Sequence, residues 1–124
     1  MKKLLAIFLV GSLAVGTVSS ANAHAELIKS NPKAGSTLTV SPKYVELIFG
    51  EELTVFKEKE VNSISLVKVS GQKVKTSLAV VDGVRIRAYL LEALKSGQYE
   101  VKYRVVSADG HILKSSYRFN VKLR

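Results

Sequence analysis

A chain of 124 residues has room for one ordinary domain, so every functional feature must sit on a single fold. It contains no cysteine, which excludes disulfides, thiolate metal sites and a lipid-modified N-terminal cysteine. The formal charge of +9 is spread along the chain with no basic run interleaved with aromatics, so the sequence does not read as nucleic-acid binding. A basic exported domain can instead associate with an anionic wall or lipid surface.

The chain opens with Lys2 and Lys3, continues through an apolar run from Leu4 to Val18 interrupted by small residues, and reaches Ala21-Asn22-Ala23. This is the three-part pattern of a secretory leader, and cleavage is expected after Ala23. The run is too short and too rich in Gly and Ser for a membrane anchor, which needs about 20 strongly apolar residues. The expected product, residues 24–124, begins His24-Ala25-Glu26 and is exported to the periplasm or the outer face of the envelope.

From there, side chains alternate between apolar and polar in short runs: Val45, Leu47 and Phe49; Ile64 and Leu66; Val74, Leu78 and Val80; Val84, Ile86 and Ala88; Tyr99, Val101, Tyr103 and Val105; Tyr117, Phe119 and Val121. Period two over such lengths predicts half-buried strands. Turn residues separate them at Asn31-Pro32, Ser41-Pro42, Ser70-Gly71, Asp82-Gly83, Ser96-Gly97 and Asp109-Gly110. The spacing suits one antiparallel all-β sandwich or barrel. Residues 51–61 are charged and irregular, which predicts a loop or a turn of helix, and Leu90 to Leu94 is expected to form a short helical turn.

The two histidines, His24 and His111, are the candidate chemical residues. A histidine at a freed N-terminus offers its α-amino nitrogen and its imidazole to one metal ion. Asp109 and His111 flank Gly110 between two strands, and on extended backbone they would point the same way. An amine, two imidazoles and a carboxylate make a nitrogen and oxygen set suited to tetragonal Cu(II), with Ni(II) and Zn(II) as weaker competitors. Each piece has an ordinary explanation as well: some residue must follow the cleavage point, Asp-Gly is a common hairpin dipeptide, and a lone histidine beside a turn is commonly a surface residue.

The sequence resembles the CopC family of exported copper-resistance proteins. The likeness lies in His24-Ala25-Glu26-Leu27 with Ser30, Pro32 and Gly35, in Val45 to Phe49 leading to Glu51, and in Ser96 to Val101. It is most specific in Tyr103 to His111 and Ser115 to Phe119. The resemblance implies a Greek-key, immunoglobulin-like β-sandwich or barrel binding one Cu(II) ion through His24, Asp109 and His111. Glu51 matches an acidic position found near the metal in some members. It also implies a noncatalytic role in copper sequestration, resistance or transfer to a CopD-like membrane copper transport protein.

Three positions depart from the family pattern. The only methionine is Met1, which argues against a thioether Cu(I) site; Ile112 stands where Pro is frequent; and Tyr103 stands where Trp is frequent. Two other readings compete: a metal-free structural or wall-associated module, and a copper monooxygenase. Against the monooxygenase, Asp109 would fill a position that oxygen activation needs open, and the chain has no Trp with which to build a flat glycan-binding surface.

Overall fold

Strands form where the alternation is strict, because period two lets one face of each strand enter an apolar core while the other meets water. The computed structural model describes residues 25–124, so the leader assigned to residues 1–23 and the terminal ligand His24 lie outside the described residues. Eight strands follow in order: β1 (Leu27–Asn31), β2 (Thr37–Leu38), β3 (Tyr44–Phe49), β4 (Ser63–Lys68), β5 (Val80–Asp82), β6 (Arg85–Tyr89), β7 (Gly97–Val106) and β8 (Ile112–Val121). They make two four-stranded sheets, β1-β3-β6-β5 and β2-β8-β7-β4. All pairings are antiparallel except the short β2 to β8 contact, which is parallel. The sandwich expected from the turn spacing is therefore present, with consecutive strands β3 and β4 in different sheets.

The core fills the space between the sheets. Val45, Leu47 and Phe49 of β3 and Ile86 and Ala88 of β6 face Ile64 and Leu66 of β4, Tyr99, Val101, Tyr103 and Val105 of β7, and Phe119 and Val121 of β8. Two aromatic pairs support it: Phe49 meets Tyr103 edge-on across the sheets with ring centroids 5.8 Å apart, and Tyr99 stacks on Phe119 at 5.7 Å. Tyr103 is thus a core residue. On the outward face of the first sheet, Glu46 pairs with Arg87 and lies 3.7 Å from Arg85.

Expectations fail at Leu78, Val80 and Val84, which are exposed, and at residues 90–94, whose donors go to distant segments. Leu78 and Val80 are 71% and 61% exposed rather than buried. In β5 the register pairs Val81 with Ile86 and Val80 with Arg87. Directly opposed residues share a face, so Val81 turns inward with Ile86 and Val80 turns outward with Arg87. Ala79 and Val81, not Leu78 and Val80, pack against the core, one residue out of phase with the expectation.

Residues 90–94 form no helical turn. Leu90 N–H donates to Lys43 O at 2.9 Å, Leu91 N–H to Lys75 O at 3.0 Å and Leu94 N–H to Ser41 Oγ at 2.7 Å, so these donors are spent on neighbouring segments instead of on one another. Residues 51–61 form a loop, within which Leu53 bridges to Ser107.

Leu47→Ala should cost about 2–5 kcal/mol, because it empties space in a fully buried site. Leu78→Ser should lie within about 0.5 kcal/mol of the parent. Urea unfolding of both variants checks the phase assigned to each strand.

Candidate metal centre

The loop from Ser107 to His111 joins β7 to β8. Ser107 N–H donates to His111 O and Gly110 N–H to Ser107 O, both at 2.9 Å, so three residues make the reversal. Gly110 has φ of +89°, a conformation that side chains with a Cβ resist. This is the three-residue hairpin built from a turn and a left-handed glycine. Residues 108–110 are therefore turned, not extended, and simple alternation does not apply to Asp109 and His111.

The turn nevertheless brings those two side chains together. Asp109 Oδ2 lies 2.7 Å from His111 Nδ1, while Oδ1 accepts the His111 backbone N–H at 3.1 Å and the hydroxyl of Ser107. Ser107 is fully buried, so its hydroxyl is a fixed donor. These donors, Ser107 first and then His111, hold the Asp109 carboxyl well below the usual carboxylate range. An ionised Asp109 can only accept, so the proton of the contact belongs to His111 Nδ1, and Nε2 then carries the lone pair that a metal takes. The His111 side chain is 60% exposed and Asp109 27%.

The segment between the two sheets connects this turn to Glu26, just before β1. Gly50 N–H donates to Glu26 O at 2.9 Å, and two residues later Glu52 O accepts the N–H of Ala108 at 2.9 Å. Leu53 N–H donates to Gly83 O at 3.0 Å, Thr54 N–H to Val106 O at 2.8 Å, and the Thr54 hydroxyl to Ser107 O at 2.8 Å. Asn62 completes the brace: its Nδ2 donates to Thr54 O at 2.7 Å and its Oδ1 accepts Val106 N–H at 2.8 Å.

Residues 50–52 span roughly 7 Å at most along the chain, so Glu26 and Ala108 are tied to opposite ends of a very short bridge. Ala25 is buried in the core immediately before Glu26. The expected ligands therefore fall into three groups. Asp109 and His111 are in contact. Glu51 sits in the bridge, half-buried, with no contact to that pair, and among the described residues no three His, Asp or Glu side chains cluster as a metal site. His24 lies outside the described residues.

Sequence reading missed Ser107, Thr54 and Asn62. Ser107 stood in the most specific motif without a role, and its position two before an Asp-Gly turn was a usable signal, since short hydroxyl side chains bond nearby turn groups. Thr54 and Asn62 gave none, because their partners lie 53 and 44 residues away.

Fold and site together define a small two-sheet β-sandwich whose β7–β8 turn carries a carboxylate-braced histidine. A family model described as the CopC domain matches residues 27–122, and the chain belongs to the CopC family. It is 33% identical to Copper resistance protein C of Escherichia coli, over 92% of this chain and 94% of that protein. It is also 34% identical to Protein YobA of Escherichia coli K12, over 81% and 80% of the two chains. Among solved structures it is similar to CopC from Methylosinus trichosporium OB3b, at TM-score 0.71 and 32% identity, covering 82% of this chain and 96% of that one. It is similar too to PcoC from Escherichia coli, described as a methionine-rich copper resistance protein, at TM-score 0.70 and 32% identity, covering 81% and 100%.

Two outcomes are expected from the turn. Gly110→Ala should destabilise the fold by about 1 kcal/mol through backbone strain alone, since no atom lies within 4 Å of the added Cβ. In the copper-free protein, imidazole nitrogen NMR should show His111 as the Nδ1–H form. Asp109→Asn should shift it toward the mixed tautomers of an unconstrained histidine.

Proposed function

We propose that the exported chain binds one Cu(II) ion at the Ser107–His111 end of the sandwich and serves as a noncatalytic copper carrier or buffer outside the cytoplasm. The ligands are the α-amino nitrogen and imidazole of His24, the imidazole of His111 and the carboxylate of Asp109, with Glu51 of the bridge as a further acidic candidate. The observation that carries this reading is the short bridge of residues 50–52, bonded to Glu26 on one side and to Ala108 on the other. That bridge brings the beginning of the mature domain to the turn holding the Asp109–His111 pair.

Each ligand has a defined part. His24 supplies two nitrogens from one residue once cleavage after Ala23 frees its amine. His111 supplies Nε2 because Asp109 holds the proton on Nδ1. An ionised carboxylate has about four acceptor positions, and three are used by Ser107 Oγ, His111 N and His111 Nδ1. Because Nδ1 and Nε2 face opposite sides of the ring, Asp109 joins His111 on one ion only by releasing Nδ1 and turning its carboxylate toward the metal.

The only methionine of the chain is Met1, so the mature protein has no thioether sulfur for Cu(I). Its nitrogen and oxygen donors favour Cu(II), which leads the affinity order for such ligands. The names of the relatives, copper resistance protein C and a methionine-rich copper resistance protein, support copper as the cargo. In transfer, the ion would pass to a CopD-like membrane copper transport protein.

The test is a Cu(II) titration followed by electron paramagnetic resonance on one preparation beginning at His24 and one with two extra residues ahead of it. The first should bind one ion tightly with a tetragonal, nitrogen-rich spectrum and the second should not. Equal, weak binding by both would exclude His24 and return the protein to a structural module. His111→Ala should also lose tight binding while keeping the parent's urea midpoint, because the ring is solvent-facing.

A further inference from the structure

The opposite end of the sandwich holds a second concave feature. A cavity of about 140 Å³ is lined by Lys68, Lys73, Lys95, Gln72, Glu92 and the ring of Tyr99. It lies where β4 ends and β7 begins, and β7 runs from there for ten residues to the copper end, a distance of about 30 Å.

The backbone brings these lysines together from two separate turns, Lys68 and Lys73 from one and Lys95 from the other. Lys68 closes β4, where its N–H donates to Gln72 O and its carbonyl accepts Gly71 N–H, both at 2.7 Å. That turn returns Lys73 to bridge with Val67. Lys95 is held from the other side, its carbonyl accepting the Tyr99 hydroxyl at 2.7 Å.

The Lys68 side chain has a prepared place. It lies across Gly97, where a Cβ would come within 2.5 Å of Lys68 Cε and 3.2 Å of Nζ. The missing side chain at position 97 is what lets the lysine stem lie flat against β7.

Charge in the cavity is unbalanced. Glu92 is its one acidic lining residue, and its Oε1 faces the Lys75 backbone N–H at 3.5 Å; it forms no ion pair with any of the three lysines. Among the described residues the Lys and Arg ion pairs are those of Arg85 and Arg87 with Glu46 and of Arg118 with Glu100, and none includes a lysine. Three ammonium groups around one small concavity repel one another unless an anion joins them.

We infer that this cavity is an oxyanion site that takes a phosphate group, with Lys68, Lys73 and Lys95 as its cations and the Gln72 amide as a neutral donor. Phosphate fits because a compact polyanion can accept from several ammonium donors at once, and charge-assisted bonds are the strong ones. The group can come from free phosphate or from an anionic lipid headgroup. With the copper ligands at the far end, a molecule held here would leave its metal end open. The inference does not depend on the copper reading, and its test uses copper-free protein.

Sodium phosphate is titrated into the mature chain at constant ionic strength, with amide NMR as the readout, and vesicles of phosphatidylcholine with or without phosphatidylglycerol are sedimented in parallel. Saturable shifts at Gln72, Lys73, Ala93 and Lys95, weakened roughly tenfold by Lys68→Gln, establish a site for free phosphate. Sedimentation with phosphatidylglycerol vesicles alone, weakened to the same degree by Lys68→Gln and without a saturable phosphate response, establishes the headgroup as the source. Lys73→Gln, at an exposed side chain, should act in the same direction and serves if Lys68→Gln does not fold. Glu92→Gln should tighten binding more than Glu58→Gln. The inference is overturned by no response in either arm, or by Lys102→Gln, which removes an exposed charge away from the cavity, weakening binding as much as Lys68→Gln.

Discussion

The functional end of this protein depends on the chain's passage from one sheet to the other between β3 and β4. On leaving β3 the backbone bonds first to Glu26, beside the start of β1, and then to Ala108 and Val106 at the β7–β8 turn. Backbone amides buried away from water must find partners, and here that requirement ties three distant parts of the chain into one cluster. Thr54 and Asn62 reinforce it with side-chain bonds to the same strand end. The position of the candidate centre is thus a by-product of satisfying the crossover.

Within that cluster, Asp109 does structural and chemical work with one carboxylate. Oδ1 closes the turn through Ser107 and the His111 amide, and Oδ2 engages the imidazole. The donors that hold the carboxyl ionised are the same ones that fix the loop. The arrangement is one in which a carboxylate fixes the orientation of a histidine ring, as the proposed metal site requires. That preorganisation lowers the ordering entropy that binding would otherwise cost.

Membership of the CopC family sets the frame, while the chain differs from the methionine-rich member it resembles in having Met1 alone. The site proposed at one end of the sandwich would offer nitrogen and oxygen donors to the ion. The lysine-lined cavity lies at the other end of β7, about 30 Å away. The two ends can therefore act independently.

Much of the fold was legible in the sequence. Val45, Leu47 and Phe49, and Tyr99 through Val105, read as strands and are the core, since strict alternation over several residues leaves one register that buries the apolar face. The motif around Asp109-Gly110-His111 identified its two candidate ligands for the same local reason: they are near neighbours whatever the backbone does. Short or edge segments were not legible. Val80 follows the register of β5 against β6, and Leu90 to Leu94 follow hydrogen bonds to Lys43, Lys75 and Ser41. Local pattern could not reveal partners that distant. By itself, then, the sequence determined the all-β class, the apolar faces of the long strands and the residue types able to bind a metal. Tertiary structure alone decided that Asp109 braces His111 through a turn, that Thr54 and Asn62 hold that turn, and that Gly50 to Glu52 bring the start of the domain to it. The first rests on the left-handed turn at Gly110 and the other two on hydrogen bonds between residues far apart in the chain, and no local periodicity encodes them.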